Sequence, residues 1–167
     1  MANPLWVLID DYLAGMVTAE IGTGNGALAG DSLQVKYVTR GATERVMDWK
    51  PWPKPAAQII GVRKESEPGP HGDGLVHYDQ SYPYALLGIV ENLREQADRD
   101  AKILAERMED MLRDVERISL GDLSDGTGHV FDVRLTGVEV RLFRVENINA
   151  DRWYGVAGVE FGVESLR

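Results

Sequence analysis

Two histidine–aspartate pairs, His71-Gly72-Asp73 and His77-Tyr78-Asp79, lie close together in one segment. Imidazole and carboxylate are competent zinc or iron ligands, so four such groups within nine residues could hold a metal. Their spacing matches no established ligand motif, however, and turn-rich segments of Gly, His and Asp are common without metal. Ser66, Ser81 and Ser119 stand in no nucleophile motif. The adjacent acids Asp10/Asp11 and Glu109/Asp110 fall on helical patterns, where neighbours in sequence do not face each other. They are expected on solvated faces. Cysteine is absent, which removes thiolate catalysis, thiolate metal sites and disulfides together. The expectation is a protein without catalytic residues, bound metal or cofactor. A small metal-dependent enzyme using the His71–Asp79 segment is the alternative.

The elements that would position these groups follow from periodicity. From Asn92 to Gly121, apolar residues at Leu93, Ala97, Ala101, Leu104, Ala105, Met108, Met111, Leu112, Val115 and Ile118 recur in steps of three and four. That spacing predicts one long amphipathic helix, with Asn92/Glu95 as a capping box and Gly121 as the C-cap. Its other face carries Glu95/Arg99, Asp98/Lys102 and Glu109/Arg113, acid first and four apart, the favourable order for helix ion pairs. A shorter amphipathic helix is predicted over 5–21, with Leu5, Leu8, Ile9, Tyr12, Leu13, Met16 and Val17 on one stripe and Asn3 and Pro4 at its start. Gly22-Thr23-Gly24-Asn25-Gly26 lacks the lysine of a phosphate loop and reads as a flexible connector.

Strands are predicted at 33–38, 58–63 and 82–90, and a long antiparallel hairpin at 129–145 and 153–164. Phe131, Val133 and Leu135 alternate in one phase and Val138, Val140 and Leu142 in the other. A β-bulge or bend is therefore expected at Thr136-Gly137. The predicted class is α+β: a mixed, largely antiparallel sheet packed by one long helix and a short N-terminal helix, in the order α-β-β-β-α-β-β. Residues 1–167 are expected to form a single domain, with a Trp/Pro-rich insert at 47–55 and a loop at 64–80 as extensions.

The net charge is −9, with no basic stripe, so tight DNA binding is not expected. No apolar run approaches the ~18 residues a membrane helix needs, and the N-terminus carries no secretory signal pattern. Trp49 and Trp52 in the insert are candidate partner anchors, since aromatic residues dominate interface energetics; alternatively they fold over the chain's own core. Arg134, Arg141, Arg144 and Arg152 of the hairpin either guard a sheet edge against aggregation or form an intersubunit surface.

An N-terminal helix, strands, a long charged helix and a hairpin ending in Trp153-Tyr154-Gly155-Val156-Ala157-Gly158-Val159-Glu160-Phe161 follow in that order. This layout resembles the tail-terminator (tail-completion) and related neck proteins of long-tailed bacteriophages. The likeness runs from residue 5 to 165 and is strongest at 58–118 and 129–164; the 47–55 insert departs from it. The resemblance implies a virion structural protein that forms a homo-oligomeric ring, usually a hexamer. Such a ring caps the tail tube, meets the tail tube protein and the head-side connector, and lets DNA pass its lumen without specific binding. It implies assembly in the host bacterial cytoplasm and no membrane contact. Another neck or head–tail completion role is the near alternative. Six copies at −9 each would carry about −54, which repels DNA rather than gripping it. Trp49, Trp52, His71, Asp73, His77, Arg141, Arg144 and Arg152 are the candidate interface residues.

Overall fold

The computed structural model describes residues 5–41, 45–61, 63–68, 78–115, 117–122, 127–145 and 151–165. Helix α1 spans Leu5–Glu20 and α2 spans Arg94–Asp114. The strands are β1 (Tyr37–Gly41), β2 (Ala56–Ile60), β3 (Glu65–Pro68), β4 (Tyr78–Asn92), β5 (Arg117–Asp122), β6 (Thr127–Arg144) and β7 (Trp153–Ser165). They form one sheet in the order β1-β2-β4-β7-β6-β5, with β3 pairing the start of β4. Only β1 and β2 run parallel; all other pairings are antiparallel. This is the α+β architecture the periodicity implies, with β3 and β5 as two short additional strands.

Both helices cover the same face of the sheet. Ile9, Leu13, Met16 and Val17 of α1 and Leu104, Met108, Met111 and Leu112 of α2 share one core with Tyr82, Tyr84, Leu86, Val159, Phe161 and Val163. Full burial of four large side chains of α2 contributes on the order of 6–12 kcal/mol, before chain entropy opposes it. Small residues set how closely helix and sheet approach. Ala97 and Ala101 sit over Gly155 of β7, and Leu104 sits over Gly88 of β4.

Polar ties fix the helices laterally. The buried Tyr84 hydroxyl donates to Asp10 of α1 at 2.5 Å. Burial first, and then the Asp10 carboxylate, push the tyrosine far above its ordinary pKa. Asp11 pairs with Arg40 of β1. Asp10 and Asp11 thus join α1 to the sheet rather than forming the purely solvated pair expected from their spacing. Arg107 donates twice to Asp31, at 3.3 and 3.0 Å, clamping the segment after α1 onto α2. That guanidinium, helped by the Leu33 amide, holds the Asp31 carboxyl below the usual range.

Several boundaries differ from expectation. Helix α2 stops at Asp114, so Gly121 is not its C-cap; Ile118 and Gly121 lie in β5, opposite Phe131 and Gly128. Ile118 satisfies helical spacing from Val115, but Ile118 and Leu120 also alternate as a strand, and pairing with β6 decides for the strand. At the other end Leu93 is the N-cap and makes no side-chain cap bond; Asn92 accepts instead from the Leu93 amide at 2.8 Å. Strand β1 begins at Tyr37 rather than residue 33, and Val35 makes only an isolated bridge to Gly22. The Gly22–Gly26 connector is a packed turn, not a flexible linker. A Cβ on Gly22 or Gly24 would come within 2.9 Å of Thr18 backbone, and Asn25 caps a short 3-10 helix at Gly26–Leu28. Pro83 sits inside β4, between the stretches paired with β3 and β2, where one flank carries no neighbouring strand.

The expected phase change in the hairpin is present as a register shift between Leu135 and Gly137. It keeps Leu135, Val138 and Val140 on the helix-facing side, opposite Phe161, Val159 and Ala157. Among the described residues no helix is long and apolar enough to cross a membrane.

Candidate interaction surface

Among the described residues, the face of the sheet opposite the helices is covered at one end only. The chain from Val46 to Trp49 forms a 3-10 helix that lays Trp49 against Phe143 and Tyr154, with ring centroids 5.7 Å away in each case. Trp49 is fully buried in a second core with Leu87, Ile89, Val145, Tyr154 and Val156. Its burial leaves no surface for a partner, so Trp49 is a core residue and not an interface anchor. Trp52 packs against Tyr37 with ring centroids 5.3 Å apart and planes tilted by 37°, and is half-buried. Lys54 closes the insert. Its Nζ lies 5.3 Å from the centre of the Tyr154 ring and donates to the Trp52 carbonyl at 3.0 Å. Burial lowers its pKa.

Beyond the insert, the same face is shallow and built from small residues. Ile60, Pro83, Ala85 and Gly162 floor a cleft of about 450 Å³, with Arg63, Glu65, Glu160 and Glu164 around it and Thr136 of the bulge at one side. Arg63 bonds Glu65 at 3.1 Å.

Of the other sequence-derived candidates, His71, Asp73 and His77 lie outside the described residues. Asp79 falls in β4, opposite Glu67. Among the described residues no group of three His, Asp or Glu side chains is placed to hold a metal ion. Arg141 bonds Glu139 at 2.7 Å on its own strand, with both side chains more than half exposed. A pair so exposed contributes ~0–1 kcal/mol. Arg152 reaches Glu91 at 3.3 Å, and Arg144 is exposed at the end of β6. The structure therefore brings Trp52, Arg144 and Arg152 to one end of the sheet, with Arg141 further along the edge strand.

The two edges of the sheet carry the clearest interaction chemistry. Strand β5 pairs β6 only as far as Asp132, so from 133 to 144 the outer edge of β6 has no strand beside it among the described residues. At ~3.3 Å per residue this edge runs about 40 Å. One face of it bears Arg134, Glu139 and Arg141. The helix-facing row is Val133, Leu135, Val138, Val140 and Leu142, ending in Arg144, and it is incompletely covered among the described residues; Val138 is 45% exposed. At the opposite end of the sheet, β1 has β2 on one side only among the described residues. Beside it lies an open groove of about 670 Å³ between β1 and α1, lined by Ala14, Gly15, Thr18 and Ala19 together with Val38 and the Asp11–Arg40 ion pair.

Gly15 of α1 stands at this groove and has no place in the helix's apolar stripe. Glycine inside a helix costs ~0.5–1 kcal/mol relative to alanine. A Cβ at Gly15 would meet nothing within 4 Å. Packing among the described residues therefore gives no reason for it, unlike Gly22, Gly88 or Gly155. Gly15→Ala is expected to raise the stability of the isolated chain by about 0.5–1 kcal/mol, read as a higher denaturant midpoint at unchanged slope. A loss of stability would show that the helix needs glycine there for its own backbone.

Comparison with known proteins leaves the surface to speak for itself: no protein-family model matches this chain, and no curated protein matches it at a significant level.

Proposed function

We propose that the protein is a virion structural component of a long-tailed bacteriophage, a ring-forming tail terminator that caps the tail tube and joins it to the head-side connector. A neck or head–tail completion protein of the same build is the near alternative. One observation supports the reading: among the described residues the sheet has two unlike free edges on opposite sides, one long with an apolar row and one short beside a groove. Unlike surfaces on opposite sides suit head-to-tail association, which closes into a ring when the rotation per subunit permits. The order of elements from residue 5 to 165 adds the family likeness. The charge of −9 per chain suits a lumen that DNA crosses without adhering.

The role requires no catalytic group. It requires a rigid body, supplied by the two-helix layer over the sheet, and contacts at its rims. The test is length control. Tube protein polymerised with the purified chain should give shorter tubes, each with a ring at one end by negative-stain microscopy. Tubes of unaltered length with bare ends would refute the proposal.

A further inference from the structure

We infer that the free edge of β6 in one copy pairs with the free edge of β1 in the next, setting Val138, Val140 and Leu142 into the groove between β1 and α1. This rests on the ring reading above and names the contact that would build the ring.

The backbone argument comes first. An exposed strand edge presents a row of donors and acceptors ready to template another strand. Natural edges are usually short, charged on both faces, or kinked. The β6 edge from 133 to 144 is long; its bulge lies near one end, between Leu135 and Gly137, and its charges sit on the face away from the helices, apart from Arg144 at the far end of the helix-facing row. From Val138 to Leu142 it is a regular strand with an apolar helix-facing row. Such an edge calls for an occupant in extended conformation, and the chain itself offers one at β1.

The side-chain argument fixes how the two edges would meet. When two sheets continue into each other with their helix layers on the same side, helix-facing rows lie next to each other. On β1 that row is Val38 and Arg40, since Val38 packs on the helix-side core and Arg40 pairs with Asp11 of α1. Across the edge from Val38, on the same side, lies the groove floored by Ala14, Gly15, Thr18 and Ala19. The missing volume on one edge therefore stands where the apolar row of the other edge would arrive. Gly15 adds a separate reason. Space at its Cβ is open among the described residues, and a second copy seated there would account for a helix-interior glycine. Glu139 and Arg141 satisfy each other on the opposite face of β6 and stay clear of the groove.

A symmetric pairing of β6 with β6 would also cover the apolar row. It would close a dimer, leave the β1 groove empty and leave Gly15 unexplained. The two arrangements separate cleanly by crosslinking, because the chain contains no cysteine.

The experiment uses the full chain with Gly15→Cys and Val138→Cys together, each change alone, and a short bis-maleimide crosslinker. Assembly is monitored by light scattering, with and without tube protein, and folding by circular dichroism. The double variant should crosslink into species larger than a dimer on a denaturing gel. A mixture of the two single variants should stop at a dimer, and each single variant alone should stay monomeric. A ring by light scattering with no crosslink in the double variant overturns this contact and leaves the ring reading standing. Dimers from Val138→Cys alone show the symmetric pairing and overturn it as well. A chain that stays monomeric with and without tube protein removes both the contact and the ring. As a variant independent of cysteine chemistry, Gly15→Lys should abolish assembly while the thermal midpoint stays at or above that of the unaltered chain. Assembly undiminished by Gly15→Lys contradicts the inference.

Discussion

Trp49→Ala is expected to lower the stability of the chain by about 3–5 kcal/mol, the range for removing a buried tryptophan. Trp49 is fully buried, meets Phe143 and Tyr154 edge-on, and holds the insert down on Leu87, Ile89 and Val156. Alanine would leave a cavity between two aromatic rings that the sheet backbone cannot collapse to fill. For a chain of this length the melting temperature should fall by roughly 6–20 °C. Trp49→Phe should cost much less. It keeps a ring in the cavity and removes an indole N–H that has no acceptor among the described residues. Denaturant melts of the three proteins check the claim. A stability change for Trp49→Ala within the ~0.5 kcal/mol typical of surface sites would show that the insert does not pack as a core.

Gly155→Ala is expected to be nearly as damaging, for the opposite reason. A Cβ there would stand 2.2 Å from the carbonyl oxygen of Ala97 and 3.0 Å from the Ala101 side chain. The obstacle is helix backbone, so α2 must lift away from β7. Overpacking typically costs ~1–3 kcal/mol, and displacement of a whole helix belongs at or above the upper end. Gly88→Ala is the internal control. Its nearest obstacle is the tip of the Leu104 side chain at 2.5 Å, which rotation can partly relieve. Equilibrium unfolding should rank Gly155→Ala below Gly88→Ala in stability. The reverse order would contradict the close seating of α2 on β7.

These two sites show what a linear pattern carries and what it does not. The stripe of α2 and the phase change at Leu135–Gly137 are visible because side-chain periodicity is a local property of helix and strand. The end of α2 is hidden because Ile118 fits both periods, and only the distant Phe131 strand breaks the tie. Whether Trp49 meets a partner or its own sheet depends on how the chain from 50 to 55 turns back, which residue type alone leaves open. Gly155 reads in the sequence as one member of an alternating strand; its role follows only from Ala97 and Ala101 lying above it. The proposed interaction surface is legible in part. The hairpin arginines pointed to the β6 edge, while the groove beside β1 lay behind residues as plain as Ala14, Gly15 and Ala19. Gly15, a glycine inside a helix where no turn is needed, is the one residue there that could have marked it.

Head-to-tail assembly into a closed ring, as proposed, is tested by the molar mass of the intact protein by light scattering, alone and with tube protein. One discrete species is expected, about 111 kDa for six copies of the 18.5 kDa chain, whose mass does not grow with concentration. A mass of a single chain under both conditions, or an open-ended series that lengthens with concentration, would contradict it.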